Sequence, residues 1–455
     1  MIRGDGKDAD MLTQEENELL TRTGPGTPMG ELFRRFWLPA ALSEELTPDG
    51  PPLRLTILHE DLVAFRDSDG RVGIIDGYCP HRRARLYFGR NEESGLRCIY
   101  HGWKFDVLGN CLDTPSEPPE FDLRDKVRMK AYPAREWGDV VWVYMGPRDK
   151  MPELPQFEWC RVPASHRTVA RWVQECNYFQ AMEGEMDPTH GPMLHQWFDG
   201  SASRLNGLRP GLSQFNGAGR PSYGFAPRIT IKEAAHGLVS GSYVPNAGGE
   251  GYRWRLNRWL APIYSLIAAA AYPVGGRCWV PIDDEHLTAF QYLWNPDRPL
   301  TEEERRRLQP NGVEEKEYSP ALDRCVYWLP NGYALDTWRD RRNRENDYLQ
   351  DRELQRTKNF SGVPAQRTQD ACVVERQGEG PIADRSREYL GSSDKTIIAM
   401  RRKLLQMVWE LQDGVEPANA CHPEHYVVRA LEVVSPHTDL DKVMEEHATD
   451  LMVPV

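Results

Sequence analysis

Four residues define the first chemistry this chain can do: Cys79 and His81 in Cys-Pro-His, and Cys98 and His101 in Cys-Ile-Tyr-His. Two such pairs can place two thiolates on one iron and two imidazoles on the other, the ligand set of a Rieske [2Fe–2S] centre. Thiolates hold one iron ferric, while neutral imidazoles lower the cluster's negative charge and raise its potential above the roughly −400 mV of an all-cysteine cluster. The pattern therefore specifies an electron port. Each pair fits the tip of a short β loop, with Pro80 stiffening the first and Gly102 relieving the backbone after the second. Structural zinc also takes two cysteines and two histidines, but zinc fingers group like ligands together at other spacings.

A second constellation lies downstream, where Asp187-Pro188-Thr189-His190 is followed by His195. Two imidazoles and one carboxylate form the facial triad of a mononuclear non-haem Fe(II) site, which leaves positions open for oxygen and substrate. In that reading Asp187 is not a ligand; it orients His190 through the other ring nitrogen. Alone, two histidines five residues apart are more often surface or satisfied core residues. Following a Rieske pair in the same chain, the metal reading leads. Cys421-His422-Pro423-Glu424-His425 is read as a surface loop, since no second pair at zinc spacing accompanies it.

These residues need a scaffold. At 455 residues the chain has room for about three domains and a sizeable core. Hydrophobic residues at 40% and charged residues at 27% suit a soluble globular protein, and a net charge of −12 argues against a nucleic-acid partner. Nine scattered cysteines favour a reducing cytoplasm over an exported disulfide framework. Residues 1–10 are polar, without the apolar stretch of a signal peptide, and read as a disordered extension. The longest apolar run, Trp259 to Val274, is broken by Pro262 and Pro273 and is too short to span a bilayer, so it reads as buried core.

Residues 1–42 read as an extension and helical lead-in, with a Gly/Pro turn at Gly24-Pro25-Gly26. Alternating β-branched runs at Leu53 to Leu58, Leu62 to Phe65 and Val72 to Ile75 begin a β domain over 43–152 that contains both metal-ligand pairs. Residues 153–455 are mixed. Cys176 to His195 reads as a helix broken by Pro188 near its metal-ligand end, and Asp199 to Gly224 as a long loop. Strands are expected at Arg228 to Lys232, Leu238 to Val244 and Tyr252 to Leu260. Helices are expected at Thr301 to Leu308 and Ile397 to Leu411, and the charge-rich stretch Arg339 to Arg356 reads as a solvated helix face.

Together the two constellations resemble the large (alpha) subunit of Rieske non-haem iron aromatic ring-hydroxylating oxygenases, in wording nearest the phthalate 4,5-dioxygenase-like branch. The similarity also runs through Glu16 to Leu20, Phe33 to Pro39, Cys98 to Phe105, Trp279 to Asp284 and Gly391 to Asp394. It implies an α+β protein, an all-β Rieske domain plus a larger domain whose curved antiparallel sheet is covered by helices. It also implies a carboxylate iron ligand far downstream, carried here onto Asp370 in Gln369-Asp370, with Asp347 and Asp351 as rivals. A trimer, or dimer of trimers, is implied in which one subunit's cluster faces its neighbour's iron across a bridging acid, which Asp187 matches. Asn177, Gln180 and Glu183 share that segment and are candidates to frame the iron site, Glu183 standing where some relatives carry an asparagine.

The resemblance implies two cofactors, a Rieske [2Fe–2S] cluster and mononuclear Fe(II). Dioxygen is a co-substrate, and electrons come from a separate NAD(P)H-dependent reductase; the chain itself has no flavin or nicotinamide fingerprint. The expected reaction is dihydroxylation or monooxygenation of an aromatic carboxylate in aromatic-compound catabolism, or O-demethylation of a methoxyaromatic acid. A carboxylate substrate calls for a cation. Arg204, Arg209, Arg228 and Lys232 are the candidates, while the absence of arginine in Ser240 to Pro245 puts phthalate itself in doubt. The competing class is a Rieske electron-transfer protein without oxygenase chemistry.

Overall fold

The computed structural model describes residues 11–196, 226–247, 249–306, 308 and 321–453. Thr13 opens the first helix, Gln14–Thr21: its hydroxyl accepts from the Glu16 N–H, and the Glu16 carboxylate accepts from the Thr13 N–H. The next helix, Pro28–Phe33, begins on a proline after the Thr27 cap. Phe33 meets Tyr178 edge-on at 4.9 Å, which seats this lead-in against a helix that follows the β region.

Trp37–Leu42 pairs antiparallel with Val140–Tyr144, which also pairs with Ala134–Trp137. Leu53–Ile57, Glu60–Arg66 and Val72–Asp76 form a meander edged by Ala131–Tyr132. A third, smaller sheet joins Arg90–Glu92, Gly95–Arg97, Lys104–Phe105 and Cys111–Asp113. Beneath the metal-ligand loops lies a separate small core that includes Phe65, Ile75, Leu86, Leu96 and Phe105.

The larger region is built on eight strands. Arg167–Gln174, Leu287–Trp294, Val274–Pro281, Tyr264–Ile267, Tyr252–Leu260, Gly237–Pro245 and Arg228–Ala234 run in that spatial order, every neighbour antiparallel, and Leu431–Ser435 also pairs with Tyr252–Leu260. The apolar run is core as expected, with Trp259, Leu260, Ile263, Tyr264, Ala268 and Ala269 buried. Helix Lys395–Gln412 packs over the Arg228–Ala234 end of the sheet and buries Ile397, Met400, Leu404 and Val408, a spacing that keeps one helical face apolar. Among the described residues no helix is long and apolar enough to cross a membrane.

The β region is locked onto the larger sheet. Leu58 and His59 both take positive φ, 48° and 66°, in the turn between two strands, a conformation costing non-glycine residues about 1–2 kcal/mol each. Docking offsets that strain: their N–H groups donate to the carbonyls of Pro281 and Ile282 at 3.0 and 2.8 Å. Asp284 then accepts from the Thr23 N–H and faces the His59 ring at 2.9 Å. A buried Arg171–Glu45 ion pair at 2.6 Å and Arg54–Asp336 at 2.7 Å complete the joint.

Candidate functional site

The two cysteine loops share one hydrogen-bond pattern. The Cys79 N–H donates to the Ala84 carbonyl (2.8 Å) and the Arg83 N–H returns to the Cys79 carbonyl (2.9 Å). Likewise Cys98 donates to Trp103 (2.8 Å) and Gly102 returns to Cys98 (3.0 Å). The fourth residue after each cysteine has positive φ, 57° at Arg83 and 79° at Gly102, so the second loop uses glycine where the turn demands it. Both cysteines are buried. Burial, with Cys98 alongside, pushes the Cys79 thiol up to about 11, so a thiolate there needs a cation to sustain it. His81 stacks on Trp103 at 4.5 Å and 6° and lies 4.4 Å from the His101 ring; its buried Nδ1 has no hydrogen-bond partner. No three of these four ligand atoms converge within 4.8 Å as a single zinc requires. Two thiols beside two imidazoles fit a two-iron cluster.

The second site stands on three elements. Helix Tyr178–Met186 starts on Asn177, whose Oδ1 accepts from the Phe179 N–H, and ends at Asp187 ahead of Pro188, as the proline predicts. The short helix Gly191–Leu194 holds His190 and His195 at its two ends. Asp370 comes from helix Gln366–Val374. The ligand atoms of His190, His195 and Asp370 all lie within 4.8 Å of one another. Asp370 Oδ1 is 3.1 Å from His195 Nε2 and 3.7 Å from His190 Nε2. Burial alone would raise the Asp370 carboxyl, but His195 and His190 in their protonated forms, together with Arg277, outweigh it and bring it to about 2.

A supporting contact sets the tautomer of neutral His195. Gln369 Nε2 donates to the Val363 carbonyl at 2.6 Å, leaving Oε1 to accept from His195 Nδ1 at 2.7 Å. In its neutral form His195 therefore turns an unprotonated Nε2 toward Asp370, as a metal ligand requires, and that buried atom has no hydrogen-bond partner. Asp187 Oδ2 lies 3.6 Å from His190 Nδ1, while its Oδ1 accepts from the Thr189 N–H and hydroxyl, both at 2.7 Å. Burial raises the Asp187 carboxyl, yet His190 and Thr189 together hold it below its usual range. Two imidazoles and one carboxylate converging in this way make a chemically sound Fe(II) site.

A Rieske [2Fe–2S] domain matches residues 36–133, and a LigXa C-terminal domain like family matches residues 143–447. The chain belongs to the Rieske non-haem iron oxygenases. It is 40% identical to the phthalate 4,5-dioxygenase oxygenase subunit of Pseudomonas putida, over 89% of this chain and 88% of the relative. It is 37% identical to the 3-chlorobenzoate-3,4-dioxygenase oxygenase subunit of Comamonas testosteroni, over 87% and 88%. Identity to the 5,5'-dehydrodivanillate O-demethylase oxygenase subunit of a Sphingobium species is 32%, over 90% and 83%. The solved structure of Pseudomonas putida CBB5 NdmA with caffeine shares the fold, with a TM-score of 0.56 at 16% identity over 90% and 98% of the two chains. The protein is thus an oxidoreductase whose cofactors are a Rieske [2Fe–2S] cluster and a mononuclear iron.

Other sequence candidates in this oxygenase have different surroundings. Asn177 Nδ2 donates to the carbonyls of Thr21 (2.9 Å) and Asp284 (2.7 Å). Buried Glu183 is clamped by Arg385 (2.8 Å) and Arg401 (2.7 Å). Burial raises its carboxyl, but the two guanidinium groups hold it below its usual range. Both residues anchor the helix in the contacts they make. Gln180 does the same, its Nε2 donating to the Val374 carbonyl and its Oε1 accepting from the Ala383 N–H.

Asp347 is exposed and Asp351 caps helix Arg352–Thr357, so neither joins the three ligand atoms. The stretch 339–356 is not one solvated helix: it is a strand end, a short 3-10 turn and that helix, with Arg339 turned onto buried Glu175 at 2.7 Å. Arg228 and Lys232 are exposed on the edge strand, and Lys232 pairs with Asp441. Arg204 and Arg209, with the expected loop around them, lie outside the described residues. His422, Glu424 and His425 also approach within metal-binding distance of one another, but His422 and Glu424 are exposed and bonded together at 3.0 Å. The sequence reading missed Gln369 as an orienting group, and Arg277 and Glu185 altogether. Only the position of Gln369 beside Asp370 hinted at its role.

Proposed function

We propose that this chain is the oxygenase component that hydroxylates an aromatic carboxylate in aromatic-compound catabolism, using O₂ and electrons from a separate reductase. The convergence of His190, His195 and Asp370 in the same chain as the paired cysteine loops carries this reading. Cys79, Cys98, His81 and His101 hold the cluster; His190, His195 and Asp370 hold the iron. That iron, when bound, supplies O₂ activation at its open positions. Asp187 orients His190 and bridges it to a cluster histidine of a neighbouring subunit. Naming of the relatives for phthalate and chlorobenzoate supports the substrate class. O-demethylation of a methoxyaromatic acid is the second reading, favoured by the dehydrodivanillate relative.

The subunit works in a homotrimer or a dimer of trimers in the cytoplasm. Ile99 and Tyr100, 62% and 54% exposed beside His101, support an oligomer, and nine unpaired cysteines support a reducing compartment. Residues 1–42, 43–152 and 153–455 act as lead-in, electron entry and catalytic domain.

The test combines iron analysis with oxygen uptake across benzoates, phthalate isomers and methoxyaromatic acids, supplied with a compatible reductase. About three irons per chain, two in the cluster and one at the triad, with substrate-dependent O₂ uptake, is the expected result. Iron in the cluster alone, with no substrate-dependent uptake, sinks the proposal in favour of an electron-transfer protein.

A further inference from the structure

Asp370 presents its two oxygens to different partners. Oδ1 faces both histidines. Oδ2 faces Arg277, whose Nη1 is 3.7 Å away and is held at 2.7 Å by Glu185 Oε2. All three side chains are largely buried, so the charges act with little screening by water. Arg277 lies on strand Val274–Pro281, opposite Ser265 on one side and Gln291 on the other. Its backbone N–H donates to the Ser265 hydroxyl at 3.2 Å, so the residue stands on the sheet rather than on a loop. Glu185 lies on helix Tyr178–Met186, two residues before Asp187. A single guanidinium thus stands between the helix that leads to the bridging acid and the helix that carries the iron carboxylate.

We propose that Arg277, facing the outward oxygen of Asp370 at 3.7 Å, keeps that oxygen turned away from the metal, so that the carboxylate would offer iron one oxygen and leave a further position for O₂. Glu185 holds Arg277 back, preventing a full Arg277–Asp370 ion pair from drawing the ligand off the metal. Arg277 and Glu185 are positioning residues in this account. It rests on the assignment of His190, His195 and Asp370 as the iron ligands.

The two partners then act in opposite directions. Without Arg277, the carboxylate is free to turn both oxygens inward. Without the charge on Glu185, the only anion paired with Arg277 among the described residues is Asp370, and metal has to compete with it. The experiment uses the cluster-loaded oligomer with Co²⁺ placed at the mononuclear site, because cobalt K-edge X-ray absorption is blind to cluster iron. In R277Q, one additional oxygen is expected in the cobalt first shell, with affinity equal to or tighter than wild type. In E185Q, Co²⁺ affinity should fall about tenfold or more, the range seen when a group orienting a metal ligand is lost.

Cluster absorbance and hydrodynamic size serve as folding checks. Should R277Q prove misfolded, Arg277→Lys, which keeps the charge, should retain the wild-type shell. An unchanged oxygen count in R277Q, or weaker binding in both R277Q and E185Q, overturns the inference. Failure of the wild-type protein to take up Co²⁺ beyond its cluster overturns instead the ligand assignment beneath it.

Discussion

The proposed bridge asks Asp187 to serve two imidazoles, and its contacts show how the first is served. Thr189 fixes one oxygen with two hydrogen bonds, so the other is aimed at His190 Nδ1 by a rigid turn. An asparagine there would keep the shape but lose the charge that favours an imidazole donating Nδ1–H. Asp187→Asn should therefore keep cluster and mononuclear iron by metal analysis. Multiple-turnover activity should fall at least ~100-fold, the upper end for groups that orient a metal-bound histidine; retained turnover contradicts the bridging role. Residues whose chemistry depends on near neighbours were readable from the chain alone, including the cysteine loops and the His190/His195 pair. Asp370 lies far downstream and became a candidate only through resemblance. Gln369, Glu185 and Arg277 are common polar residues whose geometry exists only once two helices and a strand meet.

At the level of elements, the site depends on how closely helices Tyr178–Met186 and Gln366–Val374 approach. A Cβ at Gly184 would sit 2.8 Å from Val374 Cγ1, so glycine there permits the contact. Gly184→Val should destabilise the fold by about 1–3 kcal/mol, as overpacking does, and should shift Asp187 and His190 away from Asp370. Loss of mononuclear iron with retention of the cluster is the expected signature, and Val374→Ala in the same chain should restore part of it. Just past Val374, burial pushes the Glu375 carboxyl up to about 7 from 4.5, opposed by the Tyr348 hydroxyl and reinforced by Glu175. The folded chain keeps this proton between those pH values and the unfolded chain does not, so stability falls as pH rises through the window. Over that window of about 2.5 pH units, at ~1.4 kcal/mol per unit, the loss is of order 3–4 kcal/mol. Glu375→Gln should flatten the fall in Tm between pH 5 and pH 8; an unchanged slope refutes the assignment. Strand and helix positions in the larger domain followed from local residue types: a strand is found at Tyr252–Leu260, and the helix expected at Ile397 to Leu411 runs Lys395–Gln412. Arg339 to Arg356 did not, because charge density in sequence reads as solvation whereas Arg339 turns inward to a carboxylate far away in the chain.

On the scale of the molecule, the β region is fastened to the larger sheet by docked turns, a buried ion pair and a shared core, while its metal loops rest on their own small core. Those loops end at Ile99 and Tyr100, large apolar residues left in water on a single chain. Exposed apolar residues grouped at a redox tip point to a protein surface that covers them, and the proposed cover is the neighbouring subunit with its iron. Cross-subunit transfer makes a distinctive demand, since a cluster-dead chain and an iron-dead chain should repair each other. Cys98→Ser removes the first function and Asp370→Ala the second, and neither homo-oligomer should turn over. Co-expressed with different affinity tags and purified together, they form mixed rings. Random assembly at equal ratio into three-membered rings leaves about three-quarters mixed, each with one productive junction in three, so about one quarter of the wild-type rate should return. Transfer within a single chain predicts no recovery at any mixing ratio, because no subunit then contains both working centres.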